Sequence, residues 1–442
     1  MDKIQKLNEM HAVVQYGGET LILNEEKGDN GLKQVTFSTT SSFEKRYCNQ
    51  TVQMGNRAEK LGKFWLEHPD RRQYDSVVFD PNGVSSNRYN LWQGFPIKPI
   101  QNDCGLYLSH IYNVIAGGNQ EHGNYILDYM ADAVQNPGKK PGVALVLRGE
   151  QGVGKGIFVK YFGKLFEPHF VEITNSNLFL GNFNSTLDSK LLVFADEAFW
   201  AGDKKAEGIL KGLVTEDYNN IERKGRDAVR QRNFVRLIVA SNNDWVIPAM
   251  SSERRFCVMD ISNIHRQDHA YFEKIVDQMD NGGLAGLMYH LQNRDISSVN
   301  VRKFPQTTAL MEQKIHSMTP FESWWYDCLM RGYILAANSY DSTNQVNRNW
   351  TYPVPVAAAF QSMIASSKDR GIQNRMGEAQ FGKEMKKVLP QLKKSRARLF
   401  DDETQVVSGI IKRENVYEFP PLDDCREHFD KEMGFSTGWL DP

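Results

Sequence analysis

Three apolar runs constrain the fold of this chain more than any other feature: VALVLRG (Val143 to Gly149), KLLVFADE (Lys190 to Glu197) and VRLIVASNN (Val235 to Asn243). Each is short, rich in Val, Leu and Ile, and lacks the alternation of a strand with one wet face. That pattern reads as a strand buried on both sides. Helical stretches separate the runs, which is the βαβ signature of a doubly wound α/β domain. A fourth run, RFCVMDI (Arg255 to Ile261), closes the series.

The first run leads into GEQGVGKG, Gly149 to Gly156, which follows the phosphate-loop pattern G-x-x-x-x-G-K-[ST] until its last position, where Gly156 replaces the hydroxyl residue. A helix is expected next, over IFVKYFGKLF. In that setting the backbone N–H groups of Gly149, Glu150, Gln151, Gly152, Val153, Gly154, Lys155 and Gly156 would cradle the phosphates of a nucleotide, helped by the helix N-terminus. Lys155 would reach the terminal phosphates as a mobile positive charge. The competing account is an ordinary glycine turn. The missing hydroxyl removes one Mg²⁺ ligand, which water can replace, and the next residue, Ile157, supplies no substitute. Nucleotide binding is expected; efficient hydrolysis is left open.

A phosphate loop needs a carboxylate to hold Mg²⁺ and usually a second to orient water, at the end of a neighbouring buried strand. LLVFADE ends in both. Asp196 is the candidate metal holder, and Glu197 the residue that polarises the attacking water; a polar strand end facing solvent is the alternative. The third run ends in SNN, where Asn242, or else Asn243, could bond the γ-phosphate and the water; either could equally cap a turn. Downstream, SSERRF offers Arg254 and Arg255, one of which could enter a neighbouring subunit's site as an arginine finger.

Acidic and basic residues nearly cancel over the 442 residues, leaving a net charge of -1. No overall field draws the molecule to DNA or a membrane, so nucleic-acid contacts must come from local patches. One runs from Arg223 to Arg236, with Arg223, Lys224, Arg226, Arg230, Arg232 and Arg236 against a single acid, Asp227. A second, KKVLPQLKKSRAR, brings Lys393, Lys394, Arg396 and Arg398 into position for backbone contacts. Solvated charged faces or protein contacts are the competing accounts. The five cysteines are scattered and form no C-x-x-C pair, which fits a reducing cytosol. No run approaches the roughly 18–20 apolar residues that cross a bilayer, and the start MDKIQKLNEMH has no signal-peptide core.

Four segments are expected. Residues 1–140 read as a mostly helical region, a linker or oligomerisation element, with one strand at DSVVFD, a turn at PNG and two helices broken at Gly117 and Gly118. Residues 141–300 hold the phosphate-loop core, and 301–350 a helical connector and linker. SYDSTNQVNRNWTYPVP (Ser339 to Pro355) is polar and punctuated by Pro. In 351–442, two amphipathic helices followed by a basic hairpin give the outline of a winged helix. Trp324 and Trp325 are expected in the core of the connecting helix.

GEQGVGKG, LLVFADEAFW, LKGLVTEDYNNIERKGRD (Leu210 to Asp227) and LIVASNNDWVIP resemble motifs A, B, B′ and C of superfamily 3 helicases. More narrowly, with RRQYDSVVFDP, YNLWQGF and YEFPPLDDCREHF, most of the chain resembles the helicase-like portion of phage and prophage primase-helicase and primase-polymerase proteins. The resemblance implies an AAA+-like core in a homo-oligomeric ring, usually a hexamer, with ATP and Mg²⁺ between subunits and DNA in the channel. It places Lys224 on a hairpin tip touching DNA phosphates. It also implies a phage- or prophage-encoded protein of the bacterial host cytoplasm, with a primase or primase-polymerase domain on its N-terminal side. The first segment shows no triad of acids and histidine for such a domain, so the chain is either a fragment of a longer protein, the favoured expectation, or one that has lost that half. Two functional readings follow: an ATP-driven translocase or helicase, and a nucleotide-stabilised DNA-binding ring that clamps or loads an attached primase-polymerase. A phosphate-loop kinase is the weaker third.

Overall fold

A computed structural model describes residues 3–28, 31–175, 184–197, 204–222, 228–249, 253–334, 350, 353–373, 375–398 and 413–439. These divide into two compact units, one of residues 1–247 and 254–310, the other of 248–253 and 311–442.

The apolar runs of the first unit form one parallel sheet. Its strands are β9 (Ala144–Arg148), β10 (Phe170–Ile173), β11 (Leu192–Asp196), β14 (Arg236–Ser241) and β15 (Phe256–Asp260), in the order β10-β11-β14-β9-β15. Every pairing is parallel. Central β14 is buried along its whole length, as a strand covered on both faces must be. The register aligns Asp196 with Ala240, and Ser241 and Asp260 with Arg148, so the C-terminal ends of four strands share one edge. β10 has no counterpart among the runs read from sequence, because FVEI is four residues long and carries an acid. Helices include α4 (Gly105–His110), α5 (Gln120–Gln135), α6 (Lys155–Lys164), α7 (Lys204–Thr215), α8 (His269–Gln278) and α9 (Leu284–Asn293).

The expectation of a mostly helical N-terminal region is corrected. Strands β1 (His11–Tyr16), β2 (Glu19–Lys27), β3 (Lys33–Thr39) and β6 (Gln73–Tyr74) form a mixed sheet in the order β3-β2-β1-β6. It is flanked by the short hairpin of β4 (Thr51–Met54) with β5 (Arg57–Lys60) and by the parallel pair of β7 (Ser76–Val78) with β8 (Arg88–Asn90). Helices α1 (Lys3–Met10), α2 (Thr40–Arg46) and α3 (Leu61–Glu67) help enclose Val13, Ile22, Phe43 and Trp65. The physical reason is a two-residue turn: Gly17 and Gly18 take φ of 62° and 80°, joining HAVVQY to ETLILN as a hairpin.

In the second unit, α10 (Pro320–Arg331) opens on a capping box between Thr319 and Glu322. It buries Trp324 and Trp325, as expected, against α11 (Val356–Asp369), α12 (Glu378–Val388) and α13 (Leu422–Met433). A sheet ordered β16-β18-β17, from β16 (Val354–Pro355), β17 (Lys393–Arg398) and β18 (Arg413–Glu418), completes it. Of the expected linker from Ser339 to Pro355, only 350 and 353–355 lie among the described residues. Trp350 belongs to this core and donates to Pro420 O at 2.7 Å.

One arginine of the first basic patch is structural. Arg236 is 1% exposed. It pairs with Asp132 at 2.8 Å, and its guanidinium also donates to the carbonyls of Asp132, Asn136 and Lys139 at 3.0–3.2 Å, closing the C-terminal turn of α5. Removing one partner of a buried ion pair leaves the other uncompensated. Arg236→Ala is expected to lower stability by about 3–5 kcal/mol, with Arg236→Lys intermediate, as read from denaturant unfolding.

Candidate nucleotide site

The phosphate-loop match spans the turn from β9 into α6. Gly152 and Gly154 take φ of 82° and 100°, conformations in which a side chain is strained. A Cβ on Gly154 would lie 2.5 Å from His110 Cε1, and one on Gly149 would lie 2.9 Å from Ile261 Cβ. At Gly156 a Cβ would meet nothing within 4 Å. The loop is therefore tight where it turns and open where the hydroxyl is missing. Gly154 caps α6 without a side-chain bond, so no cap side chain competes with an anion for the first-turn donors.

Lys155 is 9% exposed. Its ammonium donates to the carbonyls of Gly149, Glu150 and Ser241, the last two at 3.3 and 3.5 Å. Burial pulls its pKa down, while Asp196 and Glu197 oppose that shift. Asp196, at the end of β11, is raised by burial and then by Glu197, with Lys155 acting against both. Glu172 is raised by burial and by Asp196. One cation and two adjacent acids, drawn from two strand ends, thus form a single electrostatic site. Glu197 holds φ at 50° and donates its N–H to Ala240 O at 3.0 Å. A left-handed non-glycine residue costs free energy that the surroundings must supply, and such residues gather at functional sites.

β14 lies between the loop strand and the carboxylate strand. The Ser241 carbonyl accepts from Gly149 N at 3.0 Å as well as from Lys155. Asn242 and Asn243 follow on the same edge, both exposed. Arg254 and Arg255 precede β15, where Arg255 O accepts from Ala144 N at 2.7 Å. They therefore stand at the opposite edge of the parallel sheet and are not gathered with Lys155.

Two groups at the loop carry no sequence signal, since each is brought there only by folding. His110, 44 residues before Gly154, donates through Nε2 to the Gly154 carbonyl at 3.2 Å. A carbonyl cannot donate, so Nε2 carries the proton and Nδ1 accepts from Tyr271 OH at 3.3 Å. Burial pushes the imidazole down to about 4, His265 adding to the effect and the Gly154 bond opposing it. The second group follows β15. Arg266 pairs with Glu150, Asn263 donates to Glu150 at 3.3 Å, and Gln267 donates its N–H to Gly152 O at 3.0 Å.

Of the expected DNA-contacting residues, Arg223, Lys224 and Arg226 lie outside the described residues. Arg230 belongs to the hairpin of β12 (Tyr218–Ile221) and β13 (Val229–Arg232), and lies over the Tyr218 ring at 4.2 Å. Arg232 pairs with Asp80 at 3.1 Å. In the second unit Lys393, Lys394 and Arg396 are exposed on β17; Arg398 ends that strand, its side chain outside the described set. Lys394 also lines a groove of about 1020 Å³ with Lys383, Lys386 and Lys387 of α12.

A family model described as a family of unknown function (DUF5906) matches residues 147–255, a span that includes Gly149 to Gly156, Asp196, Glu197, Asn242, Arg254 and Arg255. The DNA primase-polymerase of Nitratiruptor phage NrS-1 is 28% identical over 314 residues, covering 67% of this chain. Two apo structures of the NrS-1 C-terminal region superpose with TM-scores of 0.68 and 0.66 at 16% and 17% identity. Each covers 95% of this chain, which in turn covers 98% and 100% of them. The chain is similar to the C-terminal region of a phage primase-polymerase. It shares the mixed α/β fold of that region and spans 41% of the length of the whole relative. Among the described residues no helix is long and apolar enough to cross a membrane, and no group of three or more His, Cys, Asp or Glu side chains is placed to hold a metal ion.

Two expectations follow for the loop. Gly154→Ala should lower the thermal unfolding midpoint by several degrees, whereas Gly156→Ala should leave it within about a degree, because only the former Cβ collides. With His110 at about 4 in the fold against an ordinary 6.5, the unfolded chain binds the extra proton between those values. The contribution of His110 is therefore fully present above 6.5 and is lost as pH drops toward 4. His110→Gln should flatten that acid slope by one proton in unfolding midpoints taken across the range.

Proposed function

We propose that this chain is the ATP-binding, superfamily 3 helicase-like module of a phage DNA replication protein, acting as an ATPase that translocates on or unwinds DNA. The observation that carries the reading is the gathering of Lys155, Asp196 and Glu197 at one sheet edge beside the glycine loop, with the amide-bearing strand β14 between them. The strand order and the similarity to the NrS-1 region support an AAA+-like core. The helices and three-stranded sheet of the second unit support a winged-helix-like DNA-binding domain.

In this account the loop N–H groups and the α6 N-terminus bind the phosphates of ATP, and Lys155 leaves its carbonyl partners to neutralise the terminal phosphate. Glu197 accepts a hydrogen bond from water and directs its attack on the γ-phosphorus; the bond to the bridging oxygen breaks and ADP leaves. Asn242 bonds the γ-phosphate. The acid pair and the open space at Gly156 suit a hydrated Mg²⁺, which would be held by Asp196 and would neutralise phosphate charge. Arg254 or Arg255, on the far edge of the sheet, serves a neighbour's site in a homo-oligomeric ring, a hexamer in the simplest reading. Exposed Arg230, Lys393, Lys394 and Arg396, together with Arg223, Lys224, Arg226 and Arg398, contact DNA phosphates. A primase-polymerase domain on the same full-length chain, in the cytoplasm of the bacterial host, is the natural partner.

The missing hydroxyl at Gly156 favours a second reading, in which bound nucleotide builds a ring that clamps DNA for an attached primase-polymerase and little is hydrolysed. Steady-state ATP hydrolysis with Mg²⁺, with and without single-stranded DNA, separates the two. The motor reading expects turnover that rises with DNA and falls at least about 100-fold in Lys155→Ala. Absence of turnover in the native chain, with activity gained in Gly156→Ser, would establish the assembly ring; that substitution is sterically free.

A further inference from the structure

The segment that follows β15 is held to the phosphate loop by the Arg266–Glu150 ion pair, the Asn263–Glu150 bond and the Gln267–Gly152 bond. Gln267 holds φ at 59°, so the segment keeps a strained turn to make that last bond. Despite this clamping it presents apolar and aromatic surface. Ile264 is 71% exposed. His265 lies flat on Tyr271, ring centroids 3.7 Å apart and planes 2° from parallel. Asp268 holds the His265 ring by accepting from Nδ1 at 2.9 Å and caps α8 by accepting from the Tyr271 backbone N–H at 3.1 Å.

We propose that Ile264, His265 and Tyr271 form the seat for the base of a purine nucleoside triphosphate whose phosphates lie on Gly149 to Gly156; the inference rests on the nucleotide reading above and assigns residues to its other end. Position argues for it first. β15 pairs with β9, so the segment leaves the sheet edge directly beside the loop. His110 then ties the two ends together, bonding Tyr271 OH on one side and the Gly154 carbonyl on the other. Two hydrogen bonds and one imidazole therefore separate the aromatic pair from the turn that would hold the phosphates, so base and phosphate seats are rigid with respect to each other. Chemistry argues second. A flat aromatic stack flanked by an exposed branched aliphatic side chain offers area to a π-face, and base–aromatic stacking is indifferent to the pattern of donors on the base edge. The seat accordingly takes adenine and guanine with little distinction. His110 acts as a positioning residue, since it touches the loop and the stack and neither end of the nucleotide.

The test is calorimetric titration of the full chain with ATP and, separately, with inorganic tripolyphosphate, for the native protein, His265→Ala and Ile264→Ser. Neither substitution empties the core, because both side chains are accessible, and unliganded melting temperatures check that the fold is retained. The expected result is ATP affinity lowered roughly tenfold or more in His265→Ala and less in Ile264→Ser, with tripolyphosphate binding unchanged. ATP affinity unchanged in His265→Ala would overturn the proposal, as would equal losses for ATP and tripolyphosphate, which would show that the segment acts only through the loop. Failure of the native chain to bind either ligand would overturn the nucleotide reading and the base seat together.

Discussion

Five strands running in one direction force every loop that leaves their C-terminal ends onto a single edge, and the site is a consequence of that constraint. The glycine loop, the acids at the end of β11, the amides just after β14 and the segment after β15 come from stretches of chain far apart in sequence. Parallel pairing brings them together without any of them being selected for contact. The same rule sends Arg254 and Arg255 to the other edge, away from Lys155. The Ser241 carbonyl, accepting from both Gly149 and Lys155, is the point at which sheet and loop are joined.

Within the site, burial and charge work against each other. Lys155 would lose its proton more readily for being buried and is kept charged by Asp196 and Glu197. Asp196 gains from the cation and loses from the neighbouring acid. The cation and the two acids support each other, while burial and the closeness of the acids oppose the charged forms. Three carbonyls satisfy the ammonium in the meantime, a geometry that a phosphate oxygen could replace bond for bond.

The legible part of the sequence was the part whose local signal and tertiary role agree. Runs such as LLVFAD and RLIVAS are buried on both faces, and their composition says so. GEQGVGKG announces a turn that only glycine allows at 152 and 154. The N-terminal sheet is harder to read although its hairpin carries a clear mark at Gly17 and Gly18, because ETLILNEEK ends in a run of charge and KQVTFST is largely polar, so neither shows the continuous apolar run of a buried strand. His110, Tyr271 and the Asn263–Gln267 segment were invisible for a different reason. A histidine on an apolar helix face is compatible with any core, and only the folded register places it 3.2 Å from a glycine carbonyl. Arg236 shows the converse: its charge pointed to a surface patch, while its position at the start of a fully buried strand fixed it beside Asp132.

The β12–β13 hairpin does not stand alone. Gln231 donates to Tyr16 OH at 2.8 Å, Arg232 pairs with Asp80, and Val229 packs within reach of Gly17 at the turn of the N-terminal sheet. The hairpin's position is therefore set by the N-terminal sheet and the residues beside it as well as by its own two strands. The hairpin is thereby anchored to the N-terminal region at three separate residues.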